Sequence, residues 1–138
     1  MRFYKLLEFD PLNPTAIMAQ TVNFDYSDMS DVVHRELRCD YIETATVKIA
    51  GRDFVMLVDG EGAVGDESPA RNVNIPAWFF YSGLDQEKVI YGDVLIGKED
   101  MVDGEPDVVG LSDKDLFDIA QEIEILSSVS AMIDKADI

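Results

Sequence analysis

The sequence contains only one cysteine, Cys39, and one histidine, His34, among its 138 residues. A single cysteine cannot form an internal disulfide or supply the thiolate cluster of a structural zinc site. The N-terminal segment reaches Glu8 and Asp10 without the apolar run of about 7–15 residues that a secretory signal needs. No stretch approaches the roughly 20 apolar residues of a membrane-spanning helix. We therefore expect a cytoplasmic protein in a reducing compartment.

Basic residues are also scarce, because 11 Lys and Arg stand against 28 Asp and Glu, which gives a net charge of −17 at pH 7. A field of that sign repels phosphate and argues against direct binding to nucleic acid or to anionic membranes. Hydrophobic residues make up 47% of the chain, enough to fill one core and to exclude wholesale disorder. The length matches one domain, so we expect residues 1–138 to form a single domain.

Catalytic motifs are absent as well: the sequence has no nucleophile elbow, no zinc-protease motif and no phosphate-binding loop. His34 lies on a predicted surface helix, and a lone histidine without a partner group is weak support for catalysis. Arg35 and Arg38 would lower the pKa of Cys39 if they folded close to it, although a packing role for this residue is the stronger interpretation. The sequence therefore favours a protein that is not an enzyme and that holds no cofactor and no metal.

Alternating and β-branched segments predict the strands of the protein. They cover residues 2–9, 16–24, 41–50, 53–58 and 89–97. The first two flank a proline-rich turn and are expected to pair as a hairpin, and Gly51-Arg52 separates a second hairpin. Residues 99–107 hold five acidic residues in nine, with Gly104 and Pro106, and this composition predicts an exposed loop.

Three segments predict helices. Ser27 or Ser30 is expected to cap a short first helix, which would bury the stripe Met29, Val32, Val33 and Leu37. Pro76 in a first turn and Gly83 at the end delimit a second helix.

The last helix begins at Ser112-Asp113-Lys114-Asp115, which resembles a capping box with Asp in place of Glu. It is predicted to run from Asp113 to about Ser127, with a possible extension to Met132, and to bury Leu116, Ile119, Ala120, Ile123 and Leu126. Because strands and helices segregate along the chain, we predict an α+β fold. It would have a mainly antiparallel sheet of about five strands and two or three helices, the C-terminal one amphipathic.

Five short motifs follow one another between about residues 40 and 125. They are Asp40–Glu43, the strand end Val58–Gly62, the loop residues Pro69 and Asn72, the strand Gly92–Gly97 and the helix start Leu111–Asp113. In this order they resemble a bacterial and phage family known only as domain of unknown function 3846. The resemblance implies an association with phages and mobile elements. It transfers no catalytic residue, because none is established for the family.

Acidic side chains are the strongest remaining signal for a function. Residues three and four apart on a helix lie about 5–6 Å from each other, close to the roughly 7 Å between phosphates along a nucleic acid strand. The sequence therefore predicts a DNA mimic that inhibits a basic, nucleic-acid-handling host defence protein, such as a CRISPR effector or a restriction enzyme. The candidate partner-binding residues are Asp100, Asp103 and Glu105 in the acidic segment 99–107, and Asp115, Asp118 and Glu122 on the predicted last helix. Solubility, or the acidity of a whole host proteome, is the alternative explanation of the charge.

A second hypothesis starts from the aromatic cluster at residues 78–81, which follows an arginine and two asparagines. Aromatic rings beside amides and a guanidinium can stack and orient a purine ligand. The protein would then bind or sequester a nucleotide signal. The candidate ligand-binding residues are Arg71, Asn72, Asn74, Trp78 and Tyr81. Packing of Trp78 and its neighbours in the core is the competing interpretation.

Overall fold

The computed structural model describes residues 1–13, 19–61 and 71–136, with side chains up to residue 126. It contains six strands, three α-helices and one 3₁₀ turn at Tyr26–Asp28. The strands are β1 (Arg2–Leu6), β2 (Ala19–Asn23), β3 (Ile42–Ile49), β4 (Arg52–Asp59), β5 (Val94–Val102) and β6 (Glu105–Val109). The helices are α1 (Met29–Leu37), α2 (Ile75–Ser82) and α3 (Asp113–Ala136).

All six strands belong to one antiparallel sheet, which confirms the predicted α+β class. The strand order is β2-β1-β5-β4-β3, and β6 pairs with the second half of β5. Both predicted hairpins form, because β1 pairs with β2 and β3 pairs with β4. Residues 16–18 of the predicted second strand and the predicted loop residue Pro69 lie outside the described residues.

The turn between β3 and β4 lies one residue earlier than the sequence predicts. Ile49 pairs with Arg52, so the two-residue loop is Ala50-Gly51 and not Gly51-Arg52. Both loop residues have positive φ, 54° for Ala50 and 75° for Gly51. This is the type I′ geometry that matches the twist of a tight hairpin.

The prediction of an exposed loop over residues 99–107 is wrong, because this segment forms the hairpin of β5 and β6. β5 begins at Val94, later than predicted, and continues to Val102. Val102 pairs with Glu105 across a two-residue turn at Asp103-Gly104, where φ is 52° and 83°. Asp-Gly is a favoured type I′ sequence, so the turn chemistry explains why this acidic segment is ordered.

Helices cover both faces of the sheet. On one face α1 buries Val33 and Leu37 against Phe3 and Leu95. On the other face α2 and α3 pack on a larger core. The buried side chains of that core include Leu6, Val47, Phe54, Met56, Ala77, Phe80, Ile96, Ile119 and Ile123.

The start of the helix agrees with the sequence at α2 and α3 but not at α1. Neither Ser27 nor Ser30 caps α1, because the N-cap position is Asp28, which makes no side-chain cap bond. Asn74 caps α2, whose first turn contains the predicted proline and which Gly83 ends in left-handed geometry.

The capping box of α3 is present as predicted. The Asp115 carboxylate accepts from Ser112 N at 2.8 Å, and the Ser112 hydroxyl accepts from Asp115 N at 3.1 Å. The helix extends beyond the predicted end, to Ala136. Ile119 and Ile123 are buried, as expected from their spacing, whereas Ala120 is exposed.

Candidate functional site

The β5–β6 hairpin carries a concentrated group of acidic side chains. Asp100 on β5 lies directly opposite Asp107 on β6, and Glu105 lies two residues from Asp107 on the same face. Side chains at directly opposed positions are about 4.5–5.5 Å apart at Cβ, and like charges there destabilise the pairing. Asp103 adds a further carboxylate at the turn, where it is exposed. The hairpin therefore holds carboxylates close together at an electrostatic cost.

A second acidic segment lies beside this hairpin. The Tyr26 hydroxyl donates a hydrogen bond to the Asp107 carboxylate, which joins the 3₁₀ turn to β6 although the two residues are 81 positions apart. This hydrogen bond raises the pKa of Tyr26, and the negative charges of Asp107 and Asp103 act in the same direction. Tyr26 thus lies in the negative field of the hairpin carboxylates.

The 3₁₀ turn and the start of α1 form one side of an open groove of about 570 Å³. Its lining includes three exposed carboxylates and the apolar side chains of Phe24 and Val32. The groove and the hairpin meet at the Tyr26–Asp107 hydrogen bond, and we call the acidic residues of these two segments the acidic face. Its residues are Asp25, Asp28, Asp31, Asp100, Asp103, Glu105 and Asp107.

Most of the basic side chains form ion pairs with carboxylates that do not belong to the acidic face. Nine of them form ion pairs within the described part of the chain, namely Arg2, Lys5, Arg35, Arg38, Lys48, Arg52, Arg71, Lys98 and Lys114. Not one of these described pairs involves a carboxylate of the acidic face. Arg35 also lines the groove, but its described ion pair is with Glu36, so no described ion pair neutralises this face.

Asp115, one of the predicted partner-binding residues, is turned into the protein. Its side chain is 2% exposed and lies 2.9 Å from both Arg52 Nη1 and Lys98 Nζ. Burial alone raises the pKa of Asp115, but hydrogen bonds from Ser112, Lys98 and Arg52 outweigh it and hold this pKa well below the usual range. Asp115 is an internal anchor for the start of α3 and cannot present its charge to a partner.

The other two predicted partner-binding residues of α3, Asp118 and Glu122, are less available to a partner than the hairpin residues are. Asp118 accepts hydrogen bonds from Lys114 at 3.0 Å and from Arg52 at 2.9 Å. The bond from Lys114 is the main reason why the pKa of Asp118 is lowered. Glu122 is half-buried. The structure therefore does not assemble a stripe of three available carboxylates on α3, whereas Asp100, Asp103 and Glu105 are exposed on the hairpin.

The residues predicted to bind a nucleotide are engaged in internal contacts. Asn74 is fully buried, caps Ala77 N and donates to the main-chain oxygens of Leu6 and Gly92 at 2.9 Å. The Arg71 guanidinium pairs with Asp59 at 2.9 Å and also donates to two carbonyl groups at the end of α1. Both side chains hold loops and helices together.

Asn72 and Trp78 are likewise bonded within the chain. The Asn72 amide donates to Phe9 O at 3.1 Å, and the Trp78 ring nitrogen donates to Asp85 O at 2.8 Å. Trp78 and Tyr81 are half-buried against the larger core. This supports the packing interpretation of the aromatic cluster.

Cys39 and His34 have no arrangement typical of a reactive site. Burial raises the pKa of Cys39, and the charge of Asp59 adds to the effect. Arg35 and Arg38 are not among the groups that act on this pKa, so the condition under which they would lower it is not met. Both ring nitrogens of His34 lie within hydrogen-bond distance of main-chain oxygens, those of Ser30 and Asp40. Among the described side chains no group of His, Cys, Asp or Glu has the geometry to hold a metal ion.

The acidic face includes residues that the sequence did not single out for binding. Asp107 belongs to the acidic segment 99–107, so the signal for it was present in the composition. The role of Tyr26 in joining the two segments had no sequence signal, because it depends on a contact between residues far apart in the chain.

Comparisons with family models, with curated proteins and with solved structures gave no match to this chain. The resemblance over residues 40–125 therefore stays a prediction. No helix in the described ranges is long and apolar enough to cross a membrane.

Proposed function

We propose that this is a non-enzymatic acidic protein of phage or mobile-element origin that inhibits a basic, nucleic-acid-handling host defence protein. The acidic face would occupy the surface on which that protein binds phosphates. A CRISPR effector or a restriction enzyme has the required chemistry. The proposal rests on one observation: within the described chain, no carboxylate of the acidic face forms an ion pair, while nine basic side chains pair with other carboxylates.

The spacing of the hairpin carboxylates supports mimicry of a phosphate backbone. Glu105 and Asp107 are two residues apart on one strand, and a strand rises about 3.4 Å per residue. Their separation along the strand is therefore about 7 Å, close to that of successive phosphates. Electrostatic attraction of this kind makes association fast and sensitive to salt.

The test is capture of a partner by the immobilised protein from a lysate of a phage-sensitive bacterium at low salt. We expect one dominant nucleic-acid enzyme, released by added salt and displaced by duplex DNA. The variant D100N/D103N/E105Q should lose this capture, because it removes three of the carboxylates that face the partner. Asn at position 103 suits the type I′ turn, so the hairpin should persist.

The matched control is D40N/E61Q/E87Q, which changes the net charge by the same amount at exposed residues outside the acidic face. It should capture the enzyme as well as the natural sequence does. Equal loss in both variants would mean that overall charge, and not this face, attracts the partner. Capture of many basic proteins without a dominant one would contradict the proposal and favour solubility as the explanation of the charge.

Sequestration of a nucleotide signal is a weaker candidate, because the polar groups of Arg71, Asn72, Asn74 and Trp78 already have partners within the chain. Native mass spectrometry of the purified protein tests it directly. A bound nucleotide, lost on replacing Trp78 by Ala in a folded variant, would restore this hypothesis.

A further inference from the structure

The strand β3 forms one outer edge of the sheet, and its register shows which main-chain groups point away from β4. Gly60 N donates to Tyr41 O at 2.8 Å, just before the strand begins. At its other end, the type I′ turn makes Ile49 and Arg52 a hydrogen-bonded pair. Antiparallel pairing alternates, so the odd-numbered residues of β3 bond to β4. The even-numbered residues direct N–H and C=O groups outward, and these are Ile42, Thr44, Thr46 and Lys48.

In the part of the chain that the structure describes, this edge lacks most of the devices by which natural sheets prevent unwanted strand pairing. Such devices include short edge strands, proline, bulges and inward-pointing charges. β3 has eight residues, no proline or glycine, and an unbroken register with β4 from Ile42 to Ile49. The opposite outer strand, β2, has only five residues. Lys48 is the only common edge-protecting residue on β3, and it lies at the strand end.

The edge is also nearly neutral in a strongly acidic chain, because Glu43 and Lys48 are the only charged residues of β3. A second copy can pair with it about a two-fold axis at Ala45. In that register Thr44 lies opposite Thr46 of the other copy, and Ile42 lies opposite Lys48. Every outward-pointing residue then has a partner, and no like charges face each other. Threonine pairs on adjacent strands are favourable.

An exposed aromatic side chain lies next to the same edge, because Tyr41, just before β3, is 55% exposed. The helix α2 packs against β3. A two-fold axis perpendicular to the sheet keeps both copies of α2 on the same side of the joined sheet. Burial of such rings adds to the area of a strand pair, and stable interfaces bury about 1,200–2,000 Å² in total.

We propose that β3 pairs with β3 of a second copy and forms a symmetric dimer with one continuous antiparallel sheet. The interface is isologous, since the same residues contribute from both copies. Repulsion between two chains of net charge −17 opposes this association over long range, and salt screens it. The dimer should therefore become more stable as ionic strength rises. Capture by the acidic face should weaken under the same change, so the two proposals can fail separately.

Sedimentation velocity over a concentration series up to about 0.5 mM, at low and at high salt, tests the proposal. We expect a monomer–dimer equilibrium that shifts at least tenfold towards the dimer with added salt. Thr46→Pro removes one outward-pointing N–H and should return the protein to a monomer, because proline is tolerated at a sheet edge. Thr46→Ala keeps this N–H and should still dimerise. Far-UV circular dichroism and a thermal melt confirm that both variants fold.

Two charge variants test the register and remain informative if Thr46→Pro does not fold. T44K/T46K places like charges opposite each other across the two-fold axis and should weaken the dimer, even though it lowers the net negative charge. T44E/T46K leaves the net charge unchanged and places opposite charges there, so it should strengthen the dimer. A natural protein that stays monomeric at all concentrations and salt levels would overturn the proposal. So would a dimer that responds to none of these substitutions.

Discussion

Replacement of Asp115 by Ala should destabilise the protein strongly, although a surface acid of an acidic protein would be expected to tolerate change. The substitution removes the acceptor of the capping box, which contributes about 1 kcal/mol. It also removes hydrogen bonds from Lys98 and Arg52. These two partners are partly exposed, so each contact is worth about 1 kcal/mol after allowance for solvent screening. The expected loss is about 3 kcal/mol.

Urea denaturation followed by circular dichroism measures this loss, with the slope of the transition checked for a change in the unfolded state. Asp113→Ala is the matched control, since Asp113 lies in the same first turn and pairs with Arg2 but is 88% exposed. Its loss should be less than about 1 kcal/mol. Equal effects of the two substitutions would refute the assignment of Asp115 as an internal anchor and return it to the set of candidate partner-binding residues.

Three further substitutions or reactions test other parts of the structure together with the Asp115 site. The folded state lowers the pKa of Asp115, so the ionised carboxylate contributes its full stabilisation above the unfolded pKa of about 3.9, and this stabilisation is lost as pH falls below that value. Asp115→Asn should therefore flatten the acid part of the curve of stability against pH. An unchanged curve would contradict the assignment of Asp115 as an internal anchor. Ala50→Asn should raise the free energy of unfolding by about 0.5–1 kcal/mol, because Asn adopts the positive φ of a type I′ turn more readily than Ala. A lower stability in urea denaturation would count against a type I′ turn at Ala50-Gly51. Cys39 should react more slowly with a thiol reagent at neutral pH than free cysteine does, because burial raises the pKa of its thiol. Reaction at the rate of the free amino acid would show that the Cys39 thiol is accessible to solvent.

Much of the fold was predictable because the decisive signals are local. The hairpins, the proline-started α2 and the capping box of α3 each depend on residues within a few positions of one another. In the segment 99–107, where the prediction failed, a local signal was outweighed by composition. Asp103-Gly104 is a favoured hairpin turn, but the density of charge in residues 99–107 suggested a loop.

The candidate site was less predictable, because periodicity does not show which carboxylates have internal partners. Asp115, Asp118 and Glu122 share a helical stripe in the sequence, yet Arg52 arrives from β4 and pairs with the first two. Conversely, the acidic segment that contains Asp25 is joined to Asp107 by the contact of Tyr26 with β6.

The sequence by itself determined the fold class, the first two antiparallel hairpins and the large excess of negative charge, since propensity, turn chemistry and composition are properties of short segments or of the whole chain. Only the tertiary structure decided which charges are neutralised and which remain exposed, because ion pairs form between segments that the sheet brings together from distant parts of the chain. The same is true of the outer edge of β3, since a strand lies at an edge only when the order of all the strands is fixed.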